Sequence, residues 1–174
     1  MAEKRMPSQT VGPFFHEALR WTDGGNVAFA EAGPRIVLTG RVVDGAGDPV
    51  GDAMIETWQL SPLGKTPAPA SGNARPHGFG RVETANDGTF RIETSMPGGS
   101  TPCIEVTLFA RGLLKGLRTR VYFASEGEVR ADPVLQGLSG SDRVRTLLAQ
   151  QAGPGEYRWE VRLQGPGETV FFAA

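Results

Sequence analysis

Apolar and polar residues alternate with a period of two along much of the chain, and this pattern predicts strands. Across Cys103–Phe109, Ile104, Val106 and Leu108 alternate with Cys103, Glu105, Thr107 and Phe109, as in a strand with one face buried. Arg111-Gly112 ends it, and 117–123 reads as the next strand. Arg35–Val43, RIVLTGRVV, has a dense β-branched composition and is followed by the turn cluster DGAGD at 44–48. Residues 53–60 are then expected to return as the second strand of a hairpin, with Met54, Glu56, Trp58 and Leu60 on one face and Ile55, Thr57 and Gln59 on the other. A short strand at 80–84, the turn Asn86-Asp87-Gly88 and a strand at 89–94 follow. At 157–163, Tyr157, Trp159, Val161 and Leu163 alternate with Arg158, Glu160 and Arg162.

One segment breaks the period. Val144, Leu147 and Leu148 have helical spacing, so a short helix is expected over 142–150, with Ser141 as its N-cap and Gly153-Pro154-Gly155 as its stop. Residues 61–79 are rich in Pro, Gly, Ala and Ser and read as a long loop. Thr169–Phe172, TVFF, is a last apolar segment. Five or more short strands bounded by Gly, Asp or Pro predict an all-β fold, an antiparallel sandwich with one short helix and long loops. The expected division is an N-terminal arm over 1–34 and one β-sandwich domain over 35–174. In the arm, Pro7, Gly12 and Pro13 exclude a regular element, yet Val11, Phe14, Phe15, Leu19 and Trp21 are apolar enough to need a surface to lie on, either their own sandwich or a partner.

Composition narrows the class. The chain has 174 residues, 24 Gly, 13 Pro and a net charge of -1, with no long basic run, so nucleic acid is not an expected partner. No apolar run approaches the roughly 20 residues of a membrane span. The first residues lack the apolar core of a secretion signal, and the single Cys103 excludes an internal disulfide framework; a cytoplasmic protein is expected. There is no phosphate-binding glycine loop, no nucleophile elbow and no CxxC pair. Two His (His16, His77) and two Tyr (Tyr122, Tyr157) are present, but no two of them lie at i, i+2 or i, i+4. No metal site and no catalytic residue is therefore assigned within this chain alone.

An ordered set of segments carries a resemblance: PSQTVGPFF from Pro7, LTGRVVDGAGDPV from Leu38, IETWQ from Ile55, GFGRVETANDGTF from Gly78, LFARGL from Leu108, TRVYF from Thr119 and GETVFF from Gly167. Taken together they span nearly the whole chain. They resemble the intradiol ring-cleaving dioxygenases, and among these the α chain of two-chain enzymes. The resemblance implies a homologous β chain holding Fe(III), a higher-order αβ heteromer, and O2-dependent cleavage of 3,4-dihydroxybenzoate to 3-carboxy-cis,cis-muconate. The family's two Tyr ligands would fall near Thr66 and Ser100, and its His-x-His pair at Ile104 and Val106. None of these can supply a phenolate or an imidazole. The resemblance further implies that Thr10, Gly12, Pro13, Phe14 and Arg120 line the partner's substrate pocket, where a guanidinium matches the substrate carboxylate. Arg118, on the same strand face, is the alternative contact, and Phe14 stands where related α chains carry Tyr. A non-enzymatic β-sandwich that binds a ligand or scaffolds a complex is the competing reading. A neighbouring gene for a homologous chain with Tyr and His-x-His intact would separate the two.

Overall fold

A computed structural model of the chain describes residues 9–12, 15–29, 33–67, 77–138 and 140–173. Eight strands form there: β1 (Arg35–Val43), β2 (Met54–Trp58), β3 (Phe79–Glu83), β4 (Thr89–Ser95), β5 (Cys103–Phe109), β6 (Leu117–Tyr122), β7 (Gln150–Gly153) and β8 (Glu156–Arg162). They build two four-stranded sheets, ordered β4-β1-β8-β7 and β3-β2-β5-β6. All pairings are antiparallel except that of β1 with β8, where the first strand runs parallel to the last.

The alternation read from the sequence becomes the core. Leu38, Val42, Phe90, Ile92, Trp159 and Val161 face inward from one sheet and meet Ile55, Ile104, Val106, Leu108 and Val121 from the other. Each fully buried aliphatic side chain contributes about 1.5–3 kcal/mol. Gln59, buried just beyond β2, ties the two sheets together: its amide donates to the Ser95 carbonyl at 2.9 Å and its carbonyl accepts from the Thr94 hydroxyl at 2.9 Å. Buried amides need such partners, since an unpaired one costs the full desolvation penalty.

The all-β sandwich agrees with the expectation, but three details differ. β1 and β2 are not a hairpin. They lie in opposite sheets, so the 44–53 connection crosses the sandwich, with only an isolated bridge between Val43 and Pro49 at its start. In place of one short helix there are three among the described residues, α1 (Phe15–Ala18), α2 (Glu126–Arg130) and α3 (Ser141–Arg145), with a 3-10 turn at Pro133–Leu135. The expected helix over 142–150 stops early because its last residues have other partners. The Trp159 indole donates to the Thr146 carbonyl at 2.9 Å, and Leu147 and Ala149 bond to the backbone of Tyr122 at 2.8 and 2.9 Å. Its N-cap is Gly140 rather than Ser141.

Residues 124–138 and 140–148 fold over the outer face of β6 and bury a second apolar cluster of Tyr122, Val129, Leu135, Val144, Leu147 and Val170. α2 begins with a capping box: the Ser125 amide donates to the Glu128 carboxylate at 2.9 Å, while the Ser125 hydroxyl accepts from the Glu128 amide. At the far edge of the sandwich the N-terminal segment lies on its own domain. Phe15 is buried, Trp21 packs edge-on against Phe79, and the Arg81 guanidinium sits 4.8 Å from the Trp21 ring centre. The segment bonds to both sheets, Arg81 N to Gly24 O at 3.0 Å on β3 and Glu93 N to Gly25 O at 2.7 Å on β4.

This strap approaches so closely that a Cβ at Gly24 would overlap the Arg81 carbonyl oxygen. Gly24→Ala is expected to lower stability by about 1–3 kcal/mol, read as a lower urea midpoint at unchanged slope. Gly127→Ala, in α2 with open space around it, is the control and should be neutral or slightly stabilising.

Candidate functional site

The outer face of β3-β2-β5-β6 is polar, and its chemistry concentrates where β5 meets β6. Since Ile104 and Val106 point into the core at 0% and 2% exposure, the side chains that β5 offers outward are Cys103, Glu105 and Thr107. Register sets Glu105 beside Arg120 and Cys103 beside Tyr122. Two turns close the end of this face. The Pro97–Ser100 turn lies on the Ser61–Gly64 turn, with Gly98 and Gly64 both donating to the Ser61 carbonyl at 3.0 and 2.8 Å. A cavity of about 280 Å³ results, lined among others by Trp58, Ser100, Cys103, Glu105, Arg120 and Asp132.

Arg120 is the hub of this cavity. Its Nη2 donates to Glu105 Oε1 at 2.8 Å and its Nη1 to Asp132 Oδ2 at 3.4 Å. Asp132 Oδ2 also accepts the Tyr122 hydroxyl at 2.9 Å, and Oδ1 accepts the Val134 amide at 2.9 Å, capping the 3-10 turn. Burial works against the charge of Arg120, but Tyr122 and Glu105 beside it outweigh burial and hold its pKa above the ordinary value. Burial likewise pushes the Tyr122 phenol up, reinforced by its bond to Asp132, and lifts the Cys103 thiol to about 11. At neutral pH the site holds a protonated thiol, a protonated phenol and a fixed guanidinium.

The residues expected from the sequence fall in different places. Ser100 and Arg120 line this cavity, and Thr66 does not. Ile104 and Val106 lie in the closed core, where no ligand pair could reach a substrate. A pair at i, i+2 on the open face of β5 would stand at Cys103 and Glu105, one residue away, a register that the periodicity could have given. Thr10 is exposed. The Gly12 amide donates to the Thr10 hydroxyl at 3.2 Å, with Gly12 at a φ of 75°. Neither residue lines the cavity of Arg120, and Pro13 and Phe14 lie outside the described residues. Arg118 is exposed, and its guanidinium makes no ion pair or hydrogen bond among the described residues. Glu105 and Asp132 escaped sequence reasoning, although Asp132 announced itself as a cap one residue before Pro133.

A family model described as "Dioxygenase" matches residues 10–104. The protocatechuate 3,4-dioxygenase alpha chain of Burkholderia cepacia is 39% identical, covering 97% of this chain and 97% of that one, and the alpha chain of Pseudomonas putida is 36% identical over 95% and 94%. The chain belongs to the intradiol ring-cleaving dioxygenase family. The Burkholderia cepacia protocatechuate 3,4-dioxygenase beta chain is a further relative of this dioxygenase chain, 33% identical over 66% of it and 55% of the other. An intradiol ring-cleavage dioxygenase from Tetranychus urticae shares the fold with a TM-score of 0.62 at 20% identity, over 94% and 96% of the two chains. Membership decides between the two readings left open by the sequence. Among the described residues no helix is long and apolar enough to cross a membrane.

Intradiol dioxygenases are non-haem iron enzymes. The residues of this cavity do not fit such an ion. Its outward β5 positions are a high-pKa thiol and a carboxylate already bound to Arg120, and the nearby phenol is committed to Asp132. Among the described residues no group of three His, Cys, Asp or Glu could hold a metal.

The Cys103 thiol is expected to resist iodoacetamide at pH 8 and to react only as the pH nears 11. Since its folded-state pKa is raised, its contribution to stability is complete below the ordinary value of 9.0 and is lost as the pH rises towards about 11. The loss is on the order of 2 kcal/mol. It should appear as a difference between the wild type and Cys103→Ala in urea unfolding, confined to that alkaline window.

Proposed function

We propose that the chain is the non-iron-binding α subunit of a protocatechuate 3,4-dioxygenase, completing the substrate pocket of a homologous β subunit. In this reading the β subunit holds Fe(III) and cleaves 3,4-dihydroxybenzoate with O2 to 3-carboxy-cis,cis-muconate, in a cytoplasmic αβ heteromer. The observation that carries it is the pairing of near full-length likeness to α chains with a cavity whose outward β5 positions are Cys103 and Glu105. What this chain adds is shape and charge at the edge of the partner's pocket. Thr10, Gly12, Pro13 and Phe14 are its arm residues there, with Arg120 as the cation for the benzoate carboxylate.

A second assignment is favoured by the geometry of Arg120. Both of its terminal nitrogens are already engaged by Glu105 and Asp132, whereas Arg118, two residues away on the same outward face, is free for a carboxylate.

The isolated chain is expected to be colourless, iron-free and inactive, and co-expression with the β chain should give an iron-containing complex that takes up oxygen on 3,4-dihydroxybenzoate. A purified α chain with near-stoichiometric iron and a visible charge-transfer band would overturn this reading.

Replacing the arginine that meets the substrate carboxylate should lower kcat/KM for 3,4-dihydroxybenzoate about ten- to hundredfold, the equivalent of about 1.5–3 kcal/mol. The loss should be smaller for catechol, and the iron spectrum unchanged. Arg120→Ala with this signature confirms Arg120, and Arg118→Ala with it moves the contact to Arg118. If Arg120→Ala lowers stability without substrate selectivity, Arg120 only holds the fold together.

A further inference from the structure

The opposite face of the sandwich carries a charge order that the proposed function does not use. Along β8 the outward side chains are Glu156, Arg158, Glu160 and Arg162, strictly alternating in sign, while Tyr157, Trp159 and Val161 pack into the core. Register on β1 sets Val37 beside Glu156, Thr39 beside Arg158 and Arg41 beside Glu160. Arg162 Nη2 meets Glu160 Oε1 at 3.2 Å within the chain. Glu156 and Arg158 are exposed and make no side-chain ion pair or hydrogen bond among the described residues.

An alternating row read backwards has every sign reversed. We propose that this face docks a second copy of the same chain about a two-fold axis passing between Arg158 and Glu160. Under that axis β8 lies antiparallel on the second copy's β8. Glu156 then meets the second copy's Arg162, and Arg158 meets its Glu160, so all four residues face an opposite charge from each chain. Laid parallel, each residue would face its own like. On β1 the same axis sets Arg41 opposite Thr39 of the second copy, with no like charge across from it. Twisted sheets touch mainly near the axis, so β8 and β1 dominate the contact. An isologous interface needs this kind of self-complementary patch, and charge order of this sort selects geometry more than it adds affinity.

The face also holds a groove of about 620 Å³, lined among others by Arg41, Arg145, Arg158 and Arg162. A small anion is a poorer occupant, because Glu160 lines the same groove and would repel it. In the paired arrangement Glu160 is a required partner.

The test is sedimentation velocity and native mass spectrometry of the full chain co-purified with its β chain, comparing wild type with Arg158→Glu, Glu160→Arg and the double variant. None of these residues belongs to the substrate-facing site. Each single reversal should raise the dissociation constant of this contact by about a hundredfold or more, halving the assembly at an unchanged α:β ratio and unchanged activity. The double reversal keeps every cross-copy pair opposite in sign and should restore the full size. Failure of the αβ reading would show separately, as loss of the β chain from the complex. The interface is overturned by a wild type that sediments as a single αβ unit, by single reversals of unchanged size, or by a double variant that stays halved. Unchanged size together with a loss of inorganic phosphate binding in Arg158→Glu would give the groove to a small anion instead.

Discussion

Strand β5 has two faces, and the core between the sheets takes one of them. That constraint decides most of what the rest of the molecule can do. Ile104, Val106 and Leu108 are locked against Leu38, Ile92 and Val161, and no side chain at those positions can meet a substrate or an ion. Whatever chemistry this strand supplies must come from Cys103, Glu105 and Thr107, one residue out of phase. A one-residue slip in a strand exchanges its faces entirely. In a strand, the difference between a buried wall and an open pocket is therefore a single position in an alignment.

A single carboxylate organises what was built on the open face. Asp132 receives the Tyr122 phenol, one arm of Arg120 and the amide of Val134. Through these it joins the end of β6, the 3-10 turn of the segment that covers it and the candidate cavity. Glu105, more open to solvent, holds the other arm of Arg120, so a single guanidinium is shared between a buried and a half-exposed carboxylate. The cavity is thus a stable structural feature whose cation is held in place before any partner arrives.

Most strands were legible because they have a clean period and a turn at either end: Arg35–Val43 and Cys103–Phe109 match the sequence reading to the residue, whereas β7 (Gln150–Gly153), QQAG, has no apolar alternation and was read as the end of a helix and its stop. Which sheet each strand joins was not legible. The Asp-Gly turn after β1 carries a local hairpin signal, yet the core demands that β2 cross to the other layer, and no local pattern encodes that choice. The helix at 142–150 was overread because helical spacing says nothing about Trp159 or Tyr122 competing for the same backbone carbonyls. α2 was missed although Ser125 and Glu128 form a recognisable capping box. At the site, residue types were legible and positions were not. Arg120 was named from resemblance, but its two carboxylate partners come from distant turns of the chain, and only the folded register brings them to it.

The parallel ladder between β1 and β8 joins segments roughly 120 residues apart. Strands of the β3-β2-β5-β6 sheet lie within one central stretch, so that sheet can assemble while the ribosome is still extending the chain. β1 can pair with β4 early, but its other edge stays open until β8 emerges. For that interval a Val- and Ile-rich strand offers unpaired backbone to any neighbour, the condition under which strands recruit one another intermolecularly. The last strand thus ends a vulnerable period in synthesis, and slow translation or premature release before residue 156 would be expected to leave a nearly folded chain with a live edge.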